Sequence, residues 1–457
     1  MYLEKLGTEQ LNNKRKGYHI MQKIKLGVVC LTRTTYEYKT AQQMYNSTIE
    51  DLKKISDIDY TFVEECVIEV ADAEAAAEKL LAANVDGVVI ISGTFHLGHL
   101  ALVFAKHIKK PFLLWAYNEL PYDGGKIRLN SVCGLNLNAS NLYKTGKDDY
   151  TCTIGDNIDE KWIAALRIKV ALQNAKVGLV GYRAHGFFNV GVDDMDVYQK
   201  TGILIDHYEI ADMFSQSASE EEIKEEEKEV RQLFVCRDVT DEQVEKVARL
   251  CVSAAKFIEK NKLSAVAVRC WPEFAANYGI SPCASMSILQ SRGFIMACEG
   301  DIEGALSMMA GAAIGAETPY LADLSQVDLE QDYALMWHCG VAPANLWDGK
   351  SERTLDTYFA GGKGVTAGFV MKEGHVNLFR FDTARGKTRL FLAAGESIEM
   401  KKQLCGTYTK VRFEQNISDL LNTVTDTGVA HHLAMVYGEY RDVLKLAAKM
   451  MNYEVIE

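Results

Sequence analysis

Short apolar, β-branched runs alternate with helix-patterned segments through the first third of this chain, and this alternation constrains the fold more than any other feature. Lys25-Leu26-Gly27-Val28-Val29-Cys30-Leu31 reads as a parallel strand buried on both faces. Residues 41–55 read as a helix, 60–68 as a strand, and 71–83, rich in alanine and glutamate, as a second helix. Val85-Asp86-Gly87-Val88-Val89-Ile90-Ile91-Ser92-Gly93 and Pro111-Phe112-Leu113-Leu114-Trp115-Ala116 add two strands with a helix between them. A βαβαβαβ order packs as a doubly wound sheet with helices on both faces. Such sheets bind ligands at the loops after strand C-termini, which here carry Arg33-Thr34-Thr35 and Thr94-Phe95-His96.

Residues 163–173 read as a helix, and Lys176-Val177-Gly178-Leu179-Val180-Gly181 begins a second alternating unit. The loop Tyr182-Arg183-Ala184-His185-Gly186-Phe187-Phe188-Asn189 follows, then strand-like residues 202–206. The charge run 220–229, with Lys224 and Lys228 at helical spacing, reads as a solvated helix face. Ala265-Val266-Ala267-Val268-Arg269-Cys270 is a further strand, and 301–316 a helix rich in alanine and methionine. Beyond residue 316 the texture changes to short strands, 369–371, 376–381 and 388–392, with a turn at 361–364 and a closing amphipathic helix at 441–451. The expected division is a first α/β domain over 1–156, a second over 157–315, and a β-rich domain over 316–457.

At 457 residues the chain exceeds one ordinary core, and its net charge of −12 argues against a nucleic-acid or anionic-membrane partner. No run approaches the roughly 20 apolar residues that cross a bilayer. Residues 1–25 are polar, with Lys14-Arg15-Lys16 and no apolar signal core, so a cytoplasmic location is expected. The 11 cysteines form no CxxC pair and are expected to be reduced. No GxGxxG, P-loop or GxSxG sequence is present, which argues against nucleotide fingerprints and a hydrolase serine.

Three apolar runs in the second half are interrupted by groups that apolar surroundings penalise. Glu299 ends Gly293-Phe294-Ile295-Met296-Ala297-Cys298, Asp323 follows Tyr320-Leu321-Ala322, and His431-His432 sit between Val429-Ala430 and Leu433-Ala434-Met435-Val436-Tyr437. A buried carboxylate is paired, protonated or bound to metal. Two acids with an imidazole suit Mn²⁺ or a similar divalent ion. Each residue also has a plainer reading: a helix N-terminal acid for Glu299, a turn residue for Asp323, an interior histidine for His432. Cys298 reads as a small apolar filler, His375 as a surface residue, and His96, His99 and His185 as loop histidines on the ligand side.

In order and texture these segments resemble the L-fucose isomerase/L-arabinose isomerase family of metal-dependent aldose–ketose isomerases. The resemblance rests on Ala297-Cys298-Glu299-Gly300-Asp301, then Leu321-Ala322-Asp323, then Ala430-His431-His432 with Val436-Tyr437-Gly438. The separation of the acids by 24 positions, 299 to 323, and an aspartate at the second position are similar to the fucose branch. The family implies two Rossmann-like N-terminal domains and a β-rich, barrel-like C-terminal domain. It also implies Mn²⁺ held by Glu299, Asp323 and one histidine, His432 being chosen over His431, and a homo-oligomer with a hexamer favoured. His338, in Trp337-His338-Cys339-Gly340, is similar to a further histidine of the arabinose branch that touches metal or substrate. Arg33 matches a substrate-contacting arginine after the first strand. Thr94-Phe95-His96 stands where the fucose enzymes favour an indole-containing loop.

The resemblance implies isomerisation through a cis-enediolate, with Glu299 and Asp323 as catalytic acids. Substrate contacts are expected from Arg33, Phe95, His96, His185, His338 and His431. A deoxy hexose, a pentose or a C6-modified hexose is the expected substrate. The alternative is an anionic sugar such as sulfoquinovose, converted to sulfofructose, which the cationic and polar loop residues Arg33, Arg183, His96 and His185 would suit. A non-catalytic sugar-binding protein is a third reading, and a metal-dependent aldolase or lyase a rival enzyme.

Overall fold

The computed structural model describes residues 21–358 and 362–457, so Gly361 of the expected turn lies outside the described residues. The chain divides into two compact units: residues 21–170 with 442–453, and residues 171–441 with 454–457.

The smaller unit is built on five parallel strands, β1 (Ile24–Leu31), β2 (Ile58–Phe62), β3 (Gly87–Ser92), β4 (Phe112–Ala116) and β5 (Tyr150–Ile154), in the order β2-β1-β3-β4-β5. Strands β1, β3 and β4 are buried almost throughout, as continuous apolar runs in a covered sheet require. A side chain on Gly27 in β1 would run into the Leu80 methyls at 2.9 Å, so helix Val70–Ala82 approaches the sheet only because that residue is glycine. The Arg33 amide donates to Thr94 Oγ1 at 2.9 Å, joining the loops after β1 and β3 at the C-terminal edge of the sheet.

The larger unit carries two sheets. Four parallel strands, β6 (Lys176–Val180), β7 (Leu204–Tyr208), β8 (Ala265–Val268) and β9 (Met296–Cys298), run in the order β7-β6-β8-β9. The second is a nine-stranded mixed sheet of β10 (Tyr320–Asp328), β11 (Tyr333–His338), β12 (Thr354–Asp356), β13 (Thr366–Val370), β14 (Gly374–Ala384), β15 (Lys387–Ile398), β16 (Thr407–Phe413), β17 (His432–Tyr437) and β18 (Glu454–Ile456). Its order is β12-β13-β16-β11-β10-β17-β14-β15-β18, and β15 also pairs with β16 through Gly395–Phe413 to Ile398–Lys410. Parallel Rossmann-like sheets followed by a large mixed sheet make this a mixed α/β fold.

The charge run is helical, Glu220–Leu233, but not wholly solvated. Glu226 is buried and, with Glu229, binds Arg292, so part of the face read as solvated packs instead. The helix Ile302–Ala313 is buried along nearly its whole length and begins at Asp301, whose carboxylate caps it by accepting from the Gly304 amide at 2.8 Å. All eleven cysteines are free.

Candidate metal centre

Glu299 directly follows β9, at the C-terminal edge of the four-stranded parallel sheet. It adopts a left-handed backbone conformation, φ 62°, unusual for a residue with a side chain, and is followed by Gly300 at φ 76°. A β-carbon on Gly300 would lie 2.5 Å from the Tyr182 carbonyl oxygen and the Arg183 Cα, so glycine is required where the loop after β6 crosses this turn. The turn is pinned by hydrogen bonds from the Ala184 amide to the Glu299 carbonyl at 2.8 Å and from the Gly300 amide to the Val268 carbonyl at 3.1 Å. The Glu299 carboxylate Oε1 accepts from Trp271 Nε1 at 3.2 Å.

Asp323 and His432 are direct cross-strand partners on β10 and β17. His432 Nε2 stands 3.3 Å from Glu299 Oε2 and 3.3 Å from Asp323 Oδ1. Those three atoms, with His338 Nε2, are buried and make no hydrogen bond. Two donor groups meet at His432: Glu299, His431 and His432, and Asp323, His338 and His432, each with its ligand atoms within 4.8 Å of one another. Buried polar atoms left unpaired are costly, and four of them within two groups that share His432 mark a position for a ligand. Oxygen and nitrogen donors binding one divalent ion at about 2.0–2.2 Å stand roughly 3 Å or a little more apart. Each of the two groups therefore offers such an ion three ligand atoms, with His432 common to both.

Behind this cluster lies a fully buried charge relay. Asp301 Oδ2 accepts from His432 Nδ1 at 2.9 Å and from an Arg380 guanidinium nitrogen at 2.7 Å, while Oδ1 accepts from the other guanidinium nitrogen at 2.9 Å. Burial alone would raise the Asp301 pKa; Arg380 and His432 outweigh it and hold the carboxyl below its usual range. Burial likewise acts against Glu299, but the neighbouring His431 and His432 imidazoles hold its carboxyl below its usual range. Burial opposes charge on His432, yet Asp301 and Glu299 raise its pKa to about 9. Burial opposes charge on His338 too, and the Asp323 carboxylate outweighs it, raising that pKa. Glu303 accepts from the Thr383 amide and hydroxyl, both at 2.7 Å, and lies 3.4 Å from Arg380; burial raises its pKa to about 7.

The larger unit thus gathers Glu299, Asp323, His432, His431 and His338. His431 is partly exposed, its ring 5.7 Å from Phe187 and its Nδ1 3.1 Å from the Asn189 side-chain nitrogen. His185 is exposed on the same loop. Arg33, Phe95 and His96 belong to the other unit. There His96 is buried, its nitrogens facing Ser92, Asn138 and the Leu97 carbonyl, and burial lowers its pKa to about 4. Cys298 is buried, and hydrogen bonds with Cys270 and Cys339, then desolvation, raise its pKa, which suits a filler. Asp301, Arg380, Trp271 and Phe187 were not singled out in the sequence. Arg380 had a legible signal, since a lone arginine inside Leu378-Phe379-Arg380-Phe381 demands a buried acid.

Acids and imidazoles gathered between a Rossmann-like parallel sheet and a large mixed sheet define a candidate metalloenzyme centre. Known sequences specify the family. The family described as "Fucose/sulfoquinovose isomerase, N-terminal domain" matches residues 27–169, and "L-fucose isomerase, C-terminal domain" matches residues 337–457. A sulfoquinovose isomerase of Priestia megaterium is 28% identical over 447 residues, covering 95% of this chain and 99% of the relative. Sulfoquinovose isomerases of Alkalicoccus urumqiensis and Clostridium sp. (strain MSTE9) are 27% and 25% identical, covering 81% and 75% of this chain and 86% and 80% of their own lengths. The chain belongs to the fucose isomerase family and is an aldose–ketose isomerase. No helix among the described residues is long and apolar enough to cross a membrane.

Proposed function

We propose that this protein interconverts sulfoquinovose and sulfofructose, with Mn²⁺ held by Glu299, Asp323 and His432. The order of expectations from the sequence is thereby reversed, the anionic sugar standing ahead of a neutral deoxy hexose or pentose. The observation that carries the reading is the convergence of unpartnered Glu299 Oε2, Asp323 Oδ1 and His432 Nε2 in a chain whose relatives bear the name sulfoquinovose isomerase. Arg183 supports the anionic substrate. Its guanidinium lies 5.0 Å from the Tyr182 ring and 5.1 Å from Phe188, with no acidic partner among the described residues, on the loop pinned to Glu299. Pairing of β15 with β16 supports a barrel-like last domain, and the three-domain division and a hexameric assembly complete the reading.

The carbon acid at C2 of an aldose is weak, so its proton leaves only if the oxygens beside it are stabilised as charge develops. A divalent ion bound at the centre supplies Lewis-acid polarisation of those adjacent oxygens. Glu299 Oε2 takes the C2 proton and returns it to C1, its other oxygen held by Trp271. Asp323 Oδ1 moves the second proton between O2 and O1. Asp301 holds His432 with Nδ1 protonated, leaving Nε2 to face the centre. Phe187 stands 6.0 Å from the Trp271 ring and 5.7 Å from the His431 ring, which sets apolar surface beside the centre.

The test is a panel of sulfoquinovose, L-fucose, L-arabinose and D-arabinose with Mn²⁺, with and without chelator. Turnover of sulfoquinovose is expected, abolished by chelation and by Glu299→Gln or Asp323→Asn in folded protein. Conversion of a neutral sugar alone would refute the substrate; near-normal rates in either amide variant would refute the acid assignment.

A further inference from the structure

We infer that His338 is a catalytic hydrogen-bond donor to a sugar oxygen through Nε2, not a ligand of the divalent ion. The inference rests on reading the Glu299–Asp323–His432 centre as an ion-dependent isomerase site. It concerns the histidine whose distances alone would place it among the ligands.

A neutral imidazole has one N–H and one lone pair, and the partner of one nitrogen decides which the other presents. His432 and His338 are both buried, their rings stacked 5.6 Å apart, and each turns an unpartnered Nε2 toward the same space. Their Nδ1 atoms are engaged in opposite senses. His432 Nδ1 lies 2.9 Å from Asp301 Oδ2, an oxygen of a carboxylate paired with Arg380, which can only accept. The proton is therefore on Nδ1, and Nε2 offers a lone pair, as a ligand must. His338 Nδ1 instead accepts from the Cys339 backbone amide at 2.8 Å, with the Cys339 thiol, which can also donate to it, at 3.2 Å. An amide N–H can only donate, so the lone pair is on Nδ1 and the proton on Nε2. Turning the ring over would replace the accepting nitrogen with a C–H and forfeit the amide's hydrogen bond.

His338 Nε2 is thus a buried N–H with no acceptor, held beside the atoms that take the ion and the sugar. An N–H so placed polarises a carbonyl oxygen and stabilises it as it gains negative charge. Its acceptor is the C1 or C2 oxygen of the substrate, where charge appears as the carbon proton leaves.

Two measurements test this, using full-length His338→Leu, His338→Gln and His432→Gln. The first reads the bound ion without turnover: Mn²⁺ affinity by titration, and nitrogen coupling to Mn²⁺ by pulsed electron paramagnetic resonance. His338→Leu should bind Mn²⁺ within about threefold of the parent and keep the parent's imidazole coupling, whereas His432→Gln should lose both. The second reads kcat on whichever sugar the panel shows to be converted. His338→Leu should lose roughly 10²–10³-fold, and His338→Gln, which keeps an N–H donor in reach, should recover at least about tenfold of that loss. Loss of affinity and imidazole coupling in His338→Leu equal to that in His432→Gln overturns the inference, as does parental kcat in His338→Leu. Should no sugar be converted, the substrate reading falls, while the first measurement still decides whether His338 is a ligand.

Discussion

Replacing Asp301 with asparagine removes one charge and leaves the side-chain shape unchanged, so its consequences can be worked out atom by atom. The carboxylate accepts four hydrogen bonds at 2.7–2.9 Å: two from Arg380, one from His432 Nδ1 and one from the Gly304 amide. An asparagine that keeps its oxygen toward Gly304 points its NH₂ at an Arg380 nitrogen and at His432 Nδ1–H, so donors face donors. The opposite orientation abandons Gly304 and leaves Arg380 one acceptor fewer. Either way Arg380, whose side chain is 1% exposed, is left with Glu303 at 3.4 Å as its nearest remaining acid. Removing one partner of a buried pair costs about 3–5 kcal/mol. The lower end applies here, because Asp301 is one of the charges that raise the Glu303 pKa, and its loss lets Glu303 ionise and partly compensate. Loss of the group that orients a metal-binding histidine weakens ion affinity roughly 10–100-fold. Urea unfolding of the apoprotein measures the first effect and calorimetric Mn²⁺ titration the second. The double variant Asp301→Asn/Arg380→Met separates them: removing both charges should restore stability but not Mn²⁺ affinity. Asp301→Asn with parental stability and parental Mn²⁺ affinity would refute the relay, and so would a double variant that restores both.

Glu303→Gln should flatten the pH dependence of stability. The folded pKa, about 7, lies above the ordinary glutamate value of 4.5, so the native state binds more protons across that window. Stability attributable to Glu303 is therefore full below about pH 4.5 and is lost as pH rises through 7, by a few kcal/mol at most; equal slopes for parent and variant from pH 5 to 8 would contradict this. Arg183→Met should raise KM for sulfoquinovose at least about tenfold, or about 1.4 kcal/mol of binding, with little change for any neutral sugar converted. An unchanged KM would remove Arg183 from the sulfonate's surroundings.

Much of the fold was legible because it follows from local pattern. Strands such as Ile24–Leu31 and Gly87–Ser92 are continuous apolar runs that only a sheet covered on both faces can bury, and the alternation with helices dictates parallel connections. The acids and the histidine of the centre were legible for the converse reason: Glu299, Asp323 and His432 stand where local pattern calls for apolar residues. What they share in space was not. Asp323 and His432 meet through cross-strand register, and Glu299 joins them through a left-handed turn that depends on Gly300 fitting beneath the Tyr182–Arg183 backbone. Chain order alone specifies neither register nor crossing. Asp301 and Arg380, 79 positions apart, pair only after the helix Ile302–Ala313 packs on β14, and that packing assigns the proton of His432. The sequence by itself therefore determined which residue types were available for the chemistry. The tertiary structure decided which nitrogen of His338 and of His432 faces the buried acids, because a tautomer is set by the hydrogen-bond partner, and that partner is chosen by packing.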